Sequence, residues 1–158
     1  MSLKQNYDWD TFAEHAGKAF WANAYMDEVE NLVEGDEYYD RDAYRALAPG
    51  PGEDWYDYLP PTPKSAEKDG IEFTKALRKK ITEAQLREVD EKLPSVEQAG
   101  HYAAMQAMGH GVGWFDYGVR ADPDIDWQPS VFVGNDAYDA VKAALRERGI
   151  RPKKRKQH

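Results

Sequence analysis

Ala99-Gly100-His101-Tyr102-Ala103-Ala104-Met105-Gln106-Ala107-Met108, continuing Gly109-His110-Gly111-Val112-Gly113-Trp114-Phe115-Asp116-Tyr117-Gly118, is the stretch on which the fold turns. Two readings compete. Ser95 and Gln98 have the spacing of a capping box, and the alanine-rich half favours a helix that would end at Gly109. The second half is too rich in glycine for a helix and closes in an aromatic, strand-like run. A two-residue turn at Met108 and Gly109 would instead make a hairpin, with Ala107 opposite His110 and, along the ladder, His101 opposite Asp116. In the helical alternative, His101 and His110 fall on opposite faces at ~100° per residue. The hairpin is the reading carried forward, with a helix over 99–108 as its alternative.

This segment resembles one shared by a widespread group of small bacteriophage proteins of unassigned activity. Theirs begins Ala-Gly-His and ends Gly-His-Gly-x-Gly, two aromatics and Asp. Here the matching residues are Ala99-Gly100-His101 and Gly109-His110-Gly111-Val112-Gly113-Trp114-Phe115-Asp116, without a gap, over about 18 of 158 residues. The group has Asn-Gly at its centre, the favoured hairpin turn, where this chain has Met108-Gly109. The resemblance implies a phage or prophage gene expressed in a bacterial cytoplasm. It carries no chemistry with it.

Outward from the segment, the pattern is mostly helical. Asp10 can cap a helix whose Phe12, Ala16, Phe20, Ala24, Val29, Leu32 and Val33 recur at helical spacing, with Gly35 as its stop. A second helix is expected over 37–47, with Tyr44 and Leu47 on one face. Pro49-Gly50-Pro51-Gly52 then opens a loop that runs to Pro63. A third helix spans 65–81, and Thr82 with Gln85 starts a fourth that Pro94 closes. Ser130-Val131-Phe132-Val133 reads as a short strand. Asn135 would cap a last helix over 136–148, with Tyr138, Val141 and Leu145 inward and Gly149 as its stop. The expected fold is α+β: four to five helices with a small antiparallel sheet, built from a hairpin near 101–117 and a strand near 130–133. Residues 1–150 would form one globular domain and 151–158 a disordered basic tail.

The chain has no cysteine, which excludes disulfides and thiol chemistry. It has no apolar run near the roughly 20 residues that span a bilayer, so a cytoplasmic protein without membrane contact is expected. The net charge is −8, but removing the six basic residues from Arg148 onward leaves 29 acids against 15 bases, or −14. The first sixty residues hold 14 of the acids, four bases and 12 of the 20 aromatics. That concentration is the leading functional signal.

The candidate binding face comprises Asp27, Glu30, Glu34, Asp36, Glu37, Asp40 and Asp42, then Glu53, Asp54 and Asp57 beside Trp55, Tyr56 and Tyr58. Duplex DNA carries one charge per ~1.7 Å of axis. A carboxylate array of similar field would steer toward a protein groove that normally holds nucleic acid. Exposed aromatics would supply anchors. The expected function is therefore a phage accessory protein, not an enzyme, that inhibits a host nucleic-acid-handling or defence protein as a possible DNA mimic.

An alternative is a small metal-assisted hydrolase using His101, His110 and Asp116, since imidazole and carboxylate bind zinc or form an oriented base. No HExxH spacing accompanies them, and no cofactor is expected. Gly109, Gly111 and Gly113 lack the Lys-Ser/Thr of a phosphate loop. A third class, a nucleic-acid-binding module, would act through the tail. Direct contact with nucleic acid is expected only weakly, through Lys153, Lys154, Arg155 and Lys156. Nothing in the sequence speaks to self-association.

Overall fold

Residues 96–107 form a helix, and the hairpin does not exist. The computed structural model describes residues 2–31, 39, 41–110, 113–121 and 123–152. Among them are seven α-helices and no strand: α1 (Leu3–Asn6), α2 (Trp9–Val29), α3 (Arg41–Leu47), α4 (Lys64–Lys80), α5 (Glu83–Lys92), α6 (Val96–Ala107) and α7 (Val131–Glu147). The expected α+β class is corrected to all-α.

The reason lies first in the backbone at Met108-Gly109. A hairpin turn needs positive φ at both residues. Met108 instead stays right-handed (φ −80°), and only Gly109 is left-handed (φ +82°). The His110 amide donates to the Met105 carbonyl at 3.0 Å, which is the closing bond of a Schellman motif. The glycine is thus a helix stop. At the other end the Ser95 hydroxyl accepts from the Gln98 amide at 3.2 Å.

The strand at 130–133 is also a helix, the first turn of α7. Ser130 is its N-cap residue, and the buried Asp69 carboxylate accepts the Ser130 amide at 2.8 Å. A β-branched run of this length says little by itself. Here Val133, Ala137, Val141 and Leu145 form one buried stripe at a spacing of four residues, while Val131 and Phe132 face solvent. Asn135 is therefore inside the helix, and Tyr138, expected inward, is 39 % exposed. Gly149 does end it, with a left-handed φ of +71° and the Ile150 amide donating to the Leu145 carbonyl at 2.9 Å.

Other boundaries shift little. Asp8, not Asp10, caps α2, accepting from the Thr11 amide at 3.2 Å. The Thr82–Gln85 capping box forms in both directions, at 2.8 and 3.1 Å. Gly35, Leu32, Val33 and the start of the second expected helix lie outside the described residues, as do 153–158 of the tail.

The organising element is α2. Twelve of its 21 residues are buried, among them the consecutive run Ala19-Phe20-Trp21-Ala22, so its middle is covered on every side while Asp10, Glu14 and Asp27 stay exposed. Its first half enters one apolar cluster with Phe73, Leu77 and Ile81 of α4 and its end, Leu86 and Val89 of α5, the alanines of α6, and Trp114. Its second half, Trp21, Ala24, Tyr25 and Val29, packs with α3 and with the α7 stripe. Each fully buried large side chain contributes about 1.5–3 kcal/mol.

Two close crossings set the geometry. A Cβ on Gly70 of α4 would lie 2.6 Å from the Gly17 amide nitrogen and 2.8 Å from the Gly17 Cα. A Cβ on Gly100 of α6 would collide with the Phe12 carbonyl, reaching the carbonyl carbon at 2.9 Å. The small face Ala99, Gly100, Ala103, Ala104 and Ala107 is what α6 lays on α2. No described helix is long and apolar enough to cross a membrane.

Candidate functional site

With its small residues turned to α2, α6 presents His101 and Tyr102 half-exposed on its outer side. The loop after α3 is brought over them. Gly50 and Glu53 close its first turn, the Glu53 amide donating to the Gly50 carbonyl at 3.0 Å. The Asp54 carboxylate then accepts from the Tyr56 amide at 3.1 Å and starts a 3-10 turn at Trp55–Asp57. Trp55 and Leu59 pack against the second apolar cluster, and the Trp21 indole donates to the Pro60 carbonyl at 2.9 Å. The loop is therefore anchored from both sides.

Tyr56 reaches across to α6. Its hydroxyl lies 3.0 Å from His101 Nδ1 and 3.3 Å from Nε2, within hydrogen-bond reach of either, the direction following the imidazole tautomer. Beyond His101 stands Tyr102, whose hydroxyl accepts from Tyr117 at 2.8 Å. Tyr117 sits on the 3-10 turn Trp114–Tyr117, fixed because the buried Trp114 indole donates to the Ala99 carbonyl at 2.9 Å.

Electrostatics follow from this packing. Burial pushes the His101 pKa down; nearby His15 pushes the same way and Asp54 opposes. The imidazole is thus held neutral at ordinary pH. Burial likewise pushes the Tyr56 hydroxyl well above its ordinary value, with Asp54 adding to the effect. The hydrogen bond from Tyr117 and then burial push Tyr102 up to about 12. Both phenols therefore stay protonated near neutrality.

The three residues of the hydrolase alternative find separate neighbours. His101 is bonded to Tyr56, and His110 Nε2 lies 2.7 Å from the Asn23 Oδ1 of α2. Asp116 is exposed on its 3-10 turn. The expected pairing of His101 with Asp116 depended on the hairpin and is absent. Among the described residues no three His, Asp or Glu side chains are grouped as metal ligands.

Of the acidic face, Asp27, Glu30, Glu53, Asp54 and Asp57 are exposed, and no described ion pair reaches them. Asp42 is exposed and pairs with Arg45 at 3.5 Å. Tyr56 and Tyr58 are 40 % and 42 % exposed, while Trp55 is half-buried. Glu34, Asp36, Glu37 and Asp40 lie outside the described residues. Tyr102, Tyr117 and His15 join the site unannounced by sequence. The one available signal was the spacing of small residues that turns His101 and Tyr102 outward.

This arrangement defines an all-helical protein with an anchored surface loop of aromatics and carboxylates. No protein-family model matches the chain, and no curated protein or solved structure matches it.

Proposed function

We propose that this chain is a phage-encoded accessory protein that acts in the bacterial cytoplasm by binding and inhibiting a host protein that handles nucleic acid. The observation that carries the reading is the loop at 53–58. It presents Tyr56 and Tyr58 beside Glu53, Asp54 and Asp57, carboxylates that no described cation neutralises. Unneutralised charge steers a basic partner from a distance, and aromatic side chains held in place supply contact area at small entropic cost. The −14 carried by residues 1–147 supports the same direction of attraction. The phage origin rests on the resemblance of the Ala99–Asp116 segment.

The test is affinity capture from bacterial lysate with the tagged full chain, at low and at high salt, followed by assay of the captured protein's activity on nucleic acid. A partner that is inhibited, released by salt, and lost when Glu53→Lys and Asp57→Lys are combined is the expected result. Failure to recover any protein at low salt would sink the reading. A partner whose binding ignores salt would remove nucleic-acid mimicry from it.

A further inference from the structure

Four rings run as one row across the outer side of α6. Centroid distances are 5.3 Å from Tyr56 to His101, 5.1 Å from His101 to Tyr102, and 4.8 Å from Tyr102 to Tyr117. Both ends are open: Tyr56 is 40 % exposed and Tyr117 42 %, and Phe115 on the same turn is 54 % exposed. The hydrogen bonds at each end already restrict the rings, so binding costs them little further entropy. A carboxylate stands at each end as well. Asp54 caps the turn that carries Tyr56 and its charge acts on both Tyr56 and His101. Asp116 shares the turn of Tyr117 and its charge acts on Tyr102. The cation–ring contacts among the described residues, Arg78 on Trp9 and Lys142 on Tyr138, lie elsewhere.

We propose that the row Tyr56, His101, Tyr102 and Tyr117, flanked by Asp54 and Asp116, is a seat for arginine side chains on a basic segment of the protein partner. The inference rests on the protein-binding reading above and names what its surface recognises. A guanidinium is planar, so it stacks flat on a ring face while its edge donates two parallel hydrogen bonds to a carboxylate; a lysine ammonium can sit over a ring but lacks both the flat stacking face and the fixed two-bond fork. Nucleic-acid bases also stack on aromatic rows. The flanking carboxylates, however, repel the phosphates that would accompany them.

The experiment is a fluorescence-anisotropy titration of the full chain with labelled octa-arginine and octa-lysine, peptides of equal charge. Octa-arginine is expected to bind roughly fivefold more tightly, since each exposed cation–ring contact adds a factor of a few. The combined Tyr56→Leu and Tyr117→Leu variant should bind both peptides alike, and Tyr117→Phe should keep the preference. Should the leucine variant fail to fold, Asp54→Asn with Asp116→Asn retains an acceptor oxygen at the cap and should weaken octa-arginine about threefold. Equal affinity of the native chain for the two peptides overturns the proposal. So does a preference that survives both sets of substitutions, or direct binding of a labelled oligothymidylate by the chain that is lost in the leucine variant. Host-protein capture that persists without any arginine preference removes this inference and leaves the protein-binding reading in place. The preference without capture removes the host-protein reading and leaves only a surface that selects arginine over lysine.

Discussion

Adding one methyl group at Gly70 tests the central claim about how the helices meet. Gly→Ala inside a helix ordinarily stabilises by about 0.5–1 kcal/mol, because alanine loses less backbone entropy. At Gly70 the new Cβ would collide with the Ala13 carbonyl oxygen and stand 2.6 Å from the Gly17 amide nitrogen, where ordinary contact begins at 3.4 Å, so α4 must retreat from α2 by at least about 0.8 Å. The opposing atoms are the backbone of Ala13 and Gly17, and no rotamer change moves them out of the way. A gap of 0.5–1 Å forfeits roughly a quarter to a half of each dispersion well along the crossing. The Phe20–Phe73 edge contact at 5.4 Å belongs to that interface. Overpacking of this kind costs about 1–3 kcal/mol, and with backbone on both sides the upper end applies. Net of the propensity gain, Gly70→Ala should destabilise by about 2 kcal/mol, or ~4–8 °C in Tm for a chain of this size. Gly134, also helical, has nothing within 4 Å of its Cβ position. Gly134→Ala should therefore raise stability by about 0.5–1 kcal/mol. Urea denaturation followed by tryptophan fluorescence, with calorimetry for Tm, measures both. If Gly70→Ala stabilises as Gly134→Ala does, the close crossing is not there and the packing argument is wrong.

Three further outcomes follow from local geometry. Met108→Asn should lower stability by about 1 kcal/mol, through lost burial of a half-buried side chain at a right-handed cap; stabilisation in chemical denaturation would instead favour the Asn-Gly hairpin. Thr82→Ala removes one arm of a reciprocal capping box and should cost ~1 kcal/mol, read as a shift in urea midpoint at constant slope. Burial raises the Asp69 pKa above its ordinary 3.8, with the Ser130 amide partly offsetting it, so the group's contribution is most favourable below that value and is lost as pH rises through the raised pKa. The stability of Asp69→Asn relative to the native chain should accordingly increase from acid toward neutral pH; a difference that stays flat, or falls, contradicts the burial of that carboxylate.

Much of the helical layout was legible in the residues alone because it rests on contacts within a few positions. Thr82 and Gln85 close on each other, Ser95 meets the Gln98 amide, and Gly149 takes a left-handed φ, all as their spacing requires. Gly109 takes the positive φ that its place in the sequence suggests, yet that property serves a hairpin and a helix stop equally. Its neighbour decides between them, and Met108 is held right-handed by the α6 turn it completes. In the same way Ser130–Val133 has a strand's composition, and only the α2 surface makes Val133 the first member of a helical stripe.

The site divides along the same line. The concentration of acids and aromatics in the first sixty residues, the absence of cysteine, and the Gly-His segment are properties of the linear chain. That Tyr56 should meet His101, 45 residues away, is not. It follows from Gly100 and the alanines of α6 seating on α2, which turns His101 outward, and from Trp55 and Leu59 anchoring the loop on the other cluster. Local hydrogen bonds select helix ends whatever the rest of the chain does. Which side of a helix faces water depends on a partner surface supplied from elsewhere, and that surface exists only once α2 has been buried.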